Sequence, residues 1–189
     1  MPAQPDSQAL DAVLTEHDPA RVVVAGTDAD LAAVVRHLFV ADRLDLEVGY
    51  LPASRRSAAA AAWGLPTHAA TALRAVTDGR AESVPLIRDD SGGVLLGRGE
   101  LRDVDGEAYC DSMLVLRGRA WELVATPGTA GVSVVVRSGW AQRARRATGR
   151  AVQVGCEPTT VVVDGVEHPQ QVKRWTWYRH TTDLLLVRR

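Results

Sequence analysis

The segment VVVAGTDADLAAVV, residues 22–35, decides the fold of the first part of this 189-residue chain. Its apolar beginning has the length of a buried strand, and from Leu31 onward apolar residues recur at helical spacing. Asp28 or Asp30 can cap that helix. The segment therefore predicts a strand that enters a helix through a tight turn. Turns of this kind are where many nucleotide-binding folds hold phosphate.

The residues around this segment predict an α/β arrangement that ends near residue 80. Apolar periodicity and capping residues indicate three further helices, and apolar runs indicate two strands, the first of them in the opening segment. The helices are expected at residues 8–16, 54–63 and 68–77, and the strands at residues 21–25 and 46–51. Asp78 and Gly79 form a typical helix end. This incomplete α/β domain is assigned to residues 1–80.

From residue 81 onward the pattern changes to short β-rich runs separated by turn signals. The turns are expected at residues 89–93, 105–106, 127–128 and 164–165. Strands are expected at residues 83–88, 94–102, 112–117, 121–125, 131–137, 151–154, 159–163, 171–178 and 184–187. Only residues 139–149 are predicted to be helical. This half, residues 81–189, is interpreted as a β-sandwich-like domain.

Composition excludes several classes of function. The formal net charge is −1, so no basic surface for nucleic acid is expected. No apolar run approaches the roughly 20 residues of a membrane span, and no signal peptide is recognised. A cytoplasmic protein without a transmembrane segment is therefore predicted. Cys110 and Cys156 are the two cysteines, and both are interpreted as inert thiols.

Four stretches of the chain carry a family resemblance. Residues 22–31, VVVAGTDADL, occupy the place of a hydrophobic strand followed by Gly-Gly-Asp-Gly-Thr-Leu, and residues 51–66 have the length of a Leu-Pro-Leu-Gly-Thr-Gly-Asn-Asp segment with its closing Gly-Leu-Pro. Residues 116–136 resemble an Asn-Gly-Arg to Asp-Gly-x-Leu-x-Val portion. The last stretch, residues 149–154 with 161–166, resembles a Val-Gln-Val-Asp-Gly-Glu hairpin.

In their order and spacing, these stretches resemble the diacylglycerol kinase family of bacterial lipid kinases, whose relatives are the sphingosine kinases and NAD kinases. The resemblance implies a nucleotide-binding-like α/β domain followed by a β-sandwich-like domain. It also implies that this chain lacks an opening strand and helix of the family. A helical insertion near residues 97–103 is expected to be missing as well.

The sequence departs from the family pattern at the catalytic motifs. Thr27, Ala29 and Asp30 stand in place of Gly, Gly and Thr in the first motif. In the second motif, residues 53–58 replace Leu-Gly-Thr-Gly-Asn-Asp with ASRRSA. Ala130 stands where the family implies an aspartate general base, and Pro85 where it often has another aspartate. Because phosphoryl transfer depends on positioning and charge neutralisation, no catalytic residue and no metal site is predicted.

The residues that remain at the two motifs are the candidate nucleotide-binding residues, namely Gly26, Thr27, Asp28, Ser54, Arg55 and Arg56. Guanidinium groups match phosphate oxygens, so Arg55 and Arg56 could form an anion site. The alternative is an exposed pair at a helix start. Arg143, Arg145 and Arg146 raise a similar choice between a solvated helix face and a contact with acidic lipid headgroups.

Three functions are compatible with these observations. The first is a catalytically inactive lipid kinase-like protein that acts as a ligand-binding or regulatory module for a nucleotide, a phospholipid or an active kinase partner. A homodimer is expected, because the missing elements leave apolar surface open. The second is an active lipid kinase, dependent on ATP and magnesium, whose catalytic groups have moved to positions such as Asp28 or Asp103. The third is a structural subunit without a small-molecule ligand.

Overall fold

The computed structural model describes residues 7–139 and 144–188, and it consists of two compact units. The first unit comprises Met1–Val84 and Thr182–Arg189, and the second comprises Pro85–Thr181. The chain crosses between the units inside two strands, β3 (Ala81–Asp89) and β12 (Val172–Val187). Residues 182–189, which were predicted to lie in the second domain, belong to the first unit. Two short strands were predicted at residues 171–178 and 184–187, but both belong to the single strand β12.

The first unit is built on parallel strands. It contains α1 (Ser7–His17), β1 (Arg21–Gly26), α2 (Asp28–Val40), β2 (Glu47–Pro52), α3 (Ala58–Trp63) and α4 (Ala69–Asp78). Strands β1 and β2 pair in parallel from Arg21 opposite Glu47 to Gly26 opposite Pro52. The end of β12 adds a further parallel pair, Leu186 with Val48. None of the helices in the described residues is long and apolar enough to span a membrane.

Helices α2 and α4 pack on these strands through small and apolar side chains. The buried face of α2 carries the periodic residues of the opening segment, Leu31, Val34, Val35 and Leu38. Gly49 of β2 lets α4 approach closely, because a Cβ there would lie 3.0 Å from the side chain of Val76. The Arg21 guanidinium donates to the carbonyl oxygens of Val76 at 2.6 Å and Gly79 at 2.9 Å, which fixes the end of α4.

The second unit is a β-rich assembly of antiparallel strands. Besides its shares of β3 and β12, it contains β4 (Val94–Leu95), β5 (Gly99–Cys110), β6 (Met113–Gly128), β7 (Gly131–Arg137), β8 (Arg145–Gly149), β9 (Ala151–Thr159), β10 (Val161–Val163) and β11 (Val166–Glu167). The long strand β5 pairs with β6 on one side and with β9 on the other. Strands β7 and β8 extend the sheet from β6, and β12 pairs with β9.

The core of the second unit contains the aromatic residues of β12. Trp175 and Trp177 are both buried, and their rings meet edge to face at 6.1 Å between centroids. The two tryptophans are two residues apart on β12 and so lie on one face of the strand, which covers the core. Trp177 lies directly over Gly99, where a Cβ would come within 2.5 Å of the indole ring. Glycine at position 99 therefore makes room for the largest side chain of the core.

Several local predictions for this unit are wrong. The turn expected at Pro127 and Gly128 falls on the last two residues of β6, which also joins the two strands expected at residues 112–117 and 121–125. Residues 139–149 were expected to be helical, but Arg145–Gly149 is strand β8 and pairs with β7; residues 140–143 of that prediction lie outside the described residues. A turn was expected at Asp105 and Gly106, but both lie inside β5. Helix propensity and turn propensity were overridden by strand pairing. The Asp164–Gly165 turn is confirmed, with positive φ angles of 49° and 86° that suit a tight hairpin.

Gly106 is a glycine because two backbones meet there. A Cβ at this position would collide with the carbonyl oxygen of Gly155 and would lie 2.6 Å from the Cα of Cys156. At Gly155, on the facing strand, a Cβ would meet no atom within 4 Å. These two glycines therefore offer a matched test of the packing between β5 and β9.

Gly106→Ala is expected to lower the free energy of unfolding by about 1–3 kcal/mol, because the strands must separate to accept the methyl group. Gly155→Ala is the control and should leave stability within about 0.5 kcal/mol. Urea denaturation of both variants measures the difference. Equal stability of the two variants would contradict the close approach.

Candidate functional site

The candidate site lies in the first unit, at the carboxyl ends of β1 and β2. Gly26 and Pro52 end these strands opposite each other, and the Ala53 N–H donates to the Gly26 carbonyl oxygen at 2.7 Å. Ligands of open α/β sheets bind at this edge. The fold thus brings together the two loops that hold the predicted nucleotide-binding residues: Gly26, Thr27 and Asp28 in one, and Ser54, Arg55 and Arg56 in the other.

The first loop is closed by its own acidic side chain. The Asp30 carboxylate accepts hydrogen bonds from the Thr27 N–H at 2.8 Å and the Thr27 hydroxyl at 2.7 Å. In return, Thr27 Oγ1 accepts from the Asp30 N–H at 3.3 Å, which completes a capping box at the start of α2. A Cβ on Gly26 would lie 2.5 Å from Asp30 Oδ2, so a larger residue there would displace this carboxylate. The Thr27 N–H is therefore not available to a phosphate oxygen.

Asp28 connects the first loop to the second. Its carboxylate accepts from the Ala58 N–H at 2.7 Å, from the Ala59 N–H at 3.2 Å and from the Ser57 hydroxyl. Ser57 Oγ in turn accepts from the Ala60 N–H at 2.9 Å, so the serine is the N-cap of α3. Together the carboxylate and the hydroxyl satisfy backbone N–H groups that the first turn of a helix leaves without intrahelical partners.

Tyr50 supplies the fourth donor to Asp28. Its hydroxyl lies 2.8 Å from Asp28 Oδ1, and only 2% of the residue is exposed. Burial, reinforced by the neighbouring Asp28 carboxylate, raises the pKa of Tyr50 well above its usual value. The phenol therefore stays protonated at physiological pH and can serve as a donor.

The second loop leaves its arginines exposed. Helix α3 begins at Ala58, four residues later than predicted, and Ser54, Arg55 and Arg56 lie in the bend before it. The Ser54 hydroxyl accepts from the Arg56 N–H at 3.1 Å. Among the described residues, neither guanidinium group has a hydrogen-bond or ion-pair partner. The guanidinium N–H groups of Arg55 and Arg56 are therefore hydrogen-bond donors without a described partner at this edge of the sheet.

The other positions of the family pattern lie in the second unit. Ala130 is an exposed residue of the turn between β6 and β7, and Pro85 is buried in β3. Asp103, considered as a relocated catalytic group, is an exposed residue of β5 with a φ of 49°. Across the described residues, no three His, Cys, Asp or Glu side chains converge as metal ligands would.

Two residues of the site were missed in the sequence. Ser57 precedes an alanine run and so carries the usual signal of an N-cap, but the helix was expected to begin earlier. Tyr50 gave no signal, because its partner Asp28 is 22 residues away in the chain. The polar contacts between the two loops depend on both.

Comparison with known proteins identifies the fold. Neither a family model nor a curated protein sequence matches the chain significantly. A diacylglycerol kinase from Bacillus anthracis str. Sterne matches in structure with a TM-score of 0.74 at 9% identity, over 100% of this chain and 83% of that one. An NAD kinase from Archaeoglobus fulgidus, solved in complex with ATP, matches with a TM-score of 0.60 at 13% identity, over 98% and 81%.

A third structure, yeast NADH kinase complexed with NADH, matches with a TM-score of 0.60 at 10% identity, over 90% of this chain and 62% of that one. The chain therefore has the fold of the diacylglycerol kinases and NAD kinases. The resemblance read from the sequence is confirmed at the level of the fold, as is the order of an α/β nucleotide-binding-like part and a β-rich part. The region expected to lack a helical insertion is occupied by a loop and the start of β5.

Asp28→Ala is expected to lower the free energy of unfolding by about 2–3 kcal/mol, because it leaves buried donors of β2 and α3 without an acceptor. Asp30→Ala is the control. It removes only the capping box of α2 and should cost about 1 kcal/mol. Thermal and urea unfolding of the two variants test this order. A smaller loss for Asp28→Ala than for Asp30→Ala would contradict the bridging role of Asp28.

Proposed function

We propose that this chain is a catalytically inactive protein of the diacylglycerol kinase fold that acts as a ligand-binding or regulatory module. One observation carries the proposal. The carboxylates of Asp28 and Asp30 accept hydrogen bonds from the N–H groups that a phosphate would need at the carboxyl ends of β1 and β2. An anionic ligand placed there would meet two negative charges and few unpaired donors.

The same hydrogen bonds argue against a catalytic role for Asp28. An ionised carboxylate offers about four acceptor sites in all. The Asp28 carboxylate already has four donors, from Tyr50, Ser57, Ala58 and Ala59. It would have to give up some of them before it could hold magnesium or accept a proton from a lipid alcohol. Ala58 and Ala130, at the two other motif positions, have no group that could replace it.

Purified protein incubated with ATP, magnesium and a panel of diacylglycerols and related lipid alcohols is expected to form no phosphorylated lipid above the level of a protein-free reaction. Mass spectrometry of the lipid products is the measurement, with a bacterial diacylglycerol kinase as the positive control. Turnover that disappears in Asp28→Ala, in a variant that remains folded, would contradict the proposal and favour the active-kinase alternative.

We further propose that any nucleotide held by the first unit is bound by Arg55 and Arg56 rather than by the turn at Gly26. Their side chains are exposed beside the strand ends, and cations at the start of α3 are disfavoured by the helix dipole. An anion would relieve that repulsion, and the planar guanidinium groups match phosphate oxygens. Gly26, Thr27, Asp28 and Ser54 would then line the contact without donating to the phosphates.

Simultaneous substitution Arg55→Ala and Arg56→Ala is expected to weaken ATP binding about tenfold or more, because two charge-assisted hydrogen-bond donors are lost. Isothermal titration calorimetry measures the change. Arg36→Ala, on α2, is the control for the loss of positive charge and should bind as the unaltered protein does. Unchanged affinity in the double variant would rule out the arginine contact.

A homodimer is the form of this module that the sequence predicts. Among the described residues, β1 pairs with β2 on one edge only, and Val23 on that strand is 44% exposed. An unpaired strand edge with exposed apolar side chains favours association with another chain. A second copy of the chain can supply such a strand through twofold symmetry.

A further inference from the structure

The second unit contains a cavity lined by residues of β6 and β8 and by Ser138. It has a volume of about 260 Å³ and is lined by Val115, Leu116, Arg117, Arg119, Ser138 and Arg145. Val115 and Leu116 form an apolar floor, since each is 2% exposed. The remaining lining residues are three arginines and a serine. Among the described residues, every polar side chain of the lining can donate hydrogen bonds, and none is a carboxylate.

Strand geometry brings the three arginines together. Arg117 and Arg119 are two residues apart on β6, so their side chains lie on the same face of the strand. Arg145 begins β8 and pairs with Val136 of β7, two residues before Ser138. Three guanidinium groups at one small cavity repel one another, so an anion bound there would lower the electrostatic energy.

Two of the three arginines form ion pairs, and both pairs are made through Nε. Arg117 contacts Glu107 through Nε at 2.9 Å, and Arg119 contacts Asp105 through Nε at 3.5 Å. Arg117 is also hydrogen-bonded to the side chain of Tyr109, and within the described residues Arg145 has no ion-pair partner. The carboxylates of Glu107 and Asp105 balance the charges of Arg117 and Arg119, so the positive charge of Arg145 remains unbalanced. The terminal amino groups are the part of a guanidinium that binds a phosphate with two parallel hydrogen bonds.

We infer that this arginine cavity binds a phosphate group, either as a free phosphomonoester or inorganic phosphate, or as the headgroup of a lipid phosphate. Its volume lies just below the range of about 300–1,000 Å³ that is usual for sites of drug-sized ligands, so a phosphate with a small substituent fits better than a whole nucleotide. The inference does not rest on the function proposed above, because the cavity shares no residue with the two loops of the first unit.

The test uses the full-length protein and inorganic phosphate as the probe, with binding measured by isothermal titration calorimetry. Arg145→Gln is expected to weaken phosphate binding about tenfold or more, since a charged hydrogen-bond donor is removed. Arg146→Gln is the matched control. It removes the same charge from the neighbouring residue of β8, which pairs with Val135 and does not line the cavity, and it should bind phosphate as the unaltered protein does.

Arg119→Gln provides a second variant on a different strand, in case Arg145→Gln lowers the melting temperature. Sedimentation with phosphatidylcholine vesicles, with and without phosphatidic acid, separates the two sources of the phosphate. Binding to the phosphatidic acid vesicles that depends on Arg145 indicates a lipid headgroup. Phosphate binding without vesicle binding indicates a free phosphate compound, and both results support the cavity.

Three results would overturn the inference. The first is the absence of saturable phosphate binding by the unaltered protein. The second is an equal loss of affinity in Arg145→Gln and Arg146→Gln, which would mean that only net charge matters. The third is a loss of phosphate binding in the Arg55→Ala, Arg56→Ala double variant while Arg145→Gln still binds, which would assign the anion to the first unit.

Discussion

The carboxylate of Asp28 is the interaction on which the first unit depends. It joins the segment after β1 to Tyr50 of β2 and to the first turn of α3. Buried or half-buried N–H groups must find an acceptor, and an unsatisfied one costs about 1–3 kcal/mol. In a site built for an anionic ligand, the ligand can be that acceptor. Here the chain supplies it, so the N–H groups of Ala58 and Ala59 have an acceptor without any bound molecule.

The Asp30 carboxylate likewise accepts from a backbone N–H group, that of Thr27 before α2. Two aspartates of the second unit also accept from backbone N–H groups. The buried Asp164 carboxylate accepts from the successive N–H groups of Leu96, Gly97 and Arg98 at 2.7–2.9 Å. Asp111 accepts from the N–H groups of Arg150 and Ala151 at 3.0 Å. Backbone concavities that resemble anion sites are thus filled by aspartate side chains in both units. Aspartates in this sequence are therefore weak indicators of metal binding or catalysis.

The sequence predicted the α/β half well because its signals are local. The apolar period from Leu31 and the end of α4 at Gly79 depend on neighbouring residues. The N-cap of α2 is Thr27, however, and not Asp28 or Asp30 as predicted. The role of Asp28 could not be predicted, since its acceptor atoms meet donors about 20–30 residues away in the chain. Strand β8 was missed for a related reason. Alanine and arginine favour a helix in residues 145–149, but pairing with β7 decides the outcome.

The turn at Asp105 and Gly106 was also wrongly predicted, because a distant strand decides the conformation there. Asp followed by Gly is a strong hairpin signal when a chain reverses locally. In β5, however, the glycine is required by a strand that lies far away in the sequence, because the Gly155 carbonyl oxygen occupies the place of a side chain. A glycine that serves a close approach and one that serves a turn look alike in a single sequence.

These observations separate two kinds of charged group in this fold. The carboxylates of Asp28 and Asp30 accept hydrogen bonds from backbone and hydroxyl donors, so they contribute stability and disfavour a bound anion. By contrast, the side chains of Arg55 and Arg56 in the first unit and of Arg145 in the second are exposed and form no ion pair with a described residue. Since recognition of an anion requires donors that folding has left unpaired, the two proposed anion sites are placed at exposed guanidinium groups and not at the turn around Gly26.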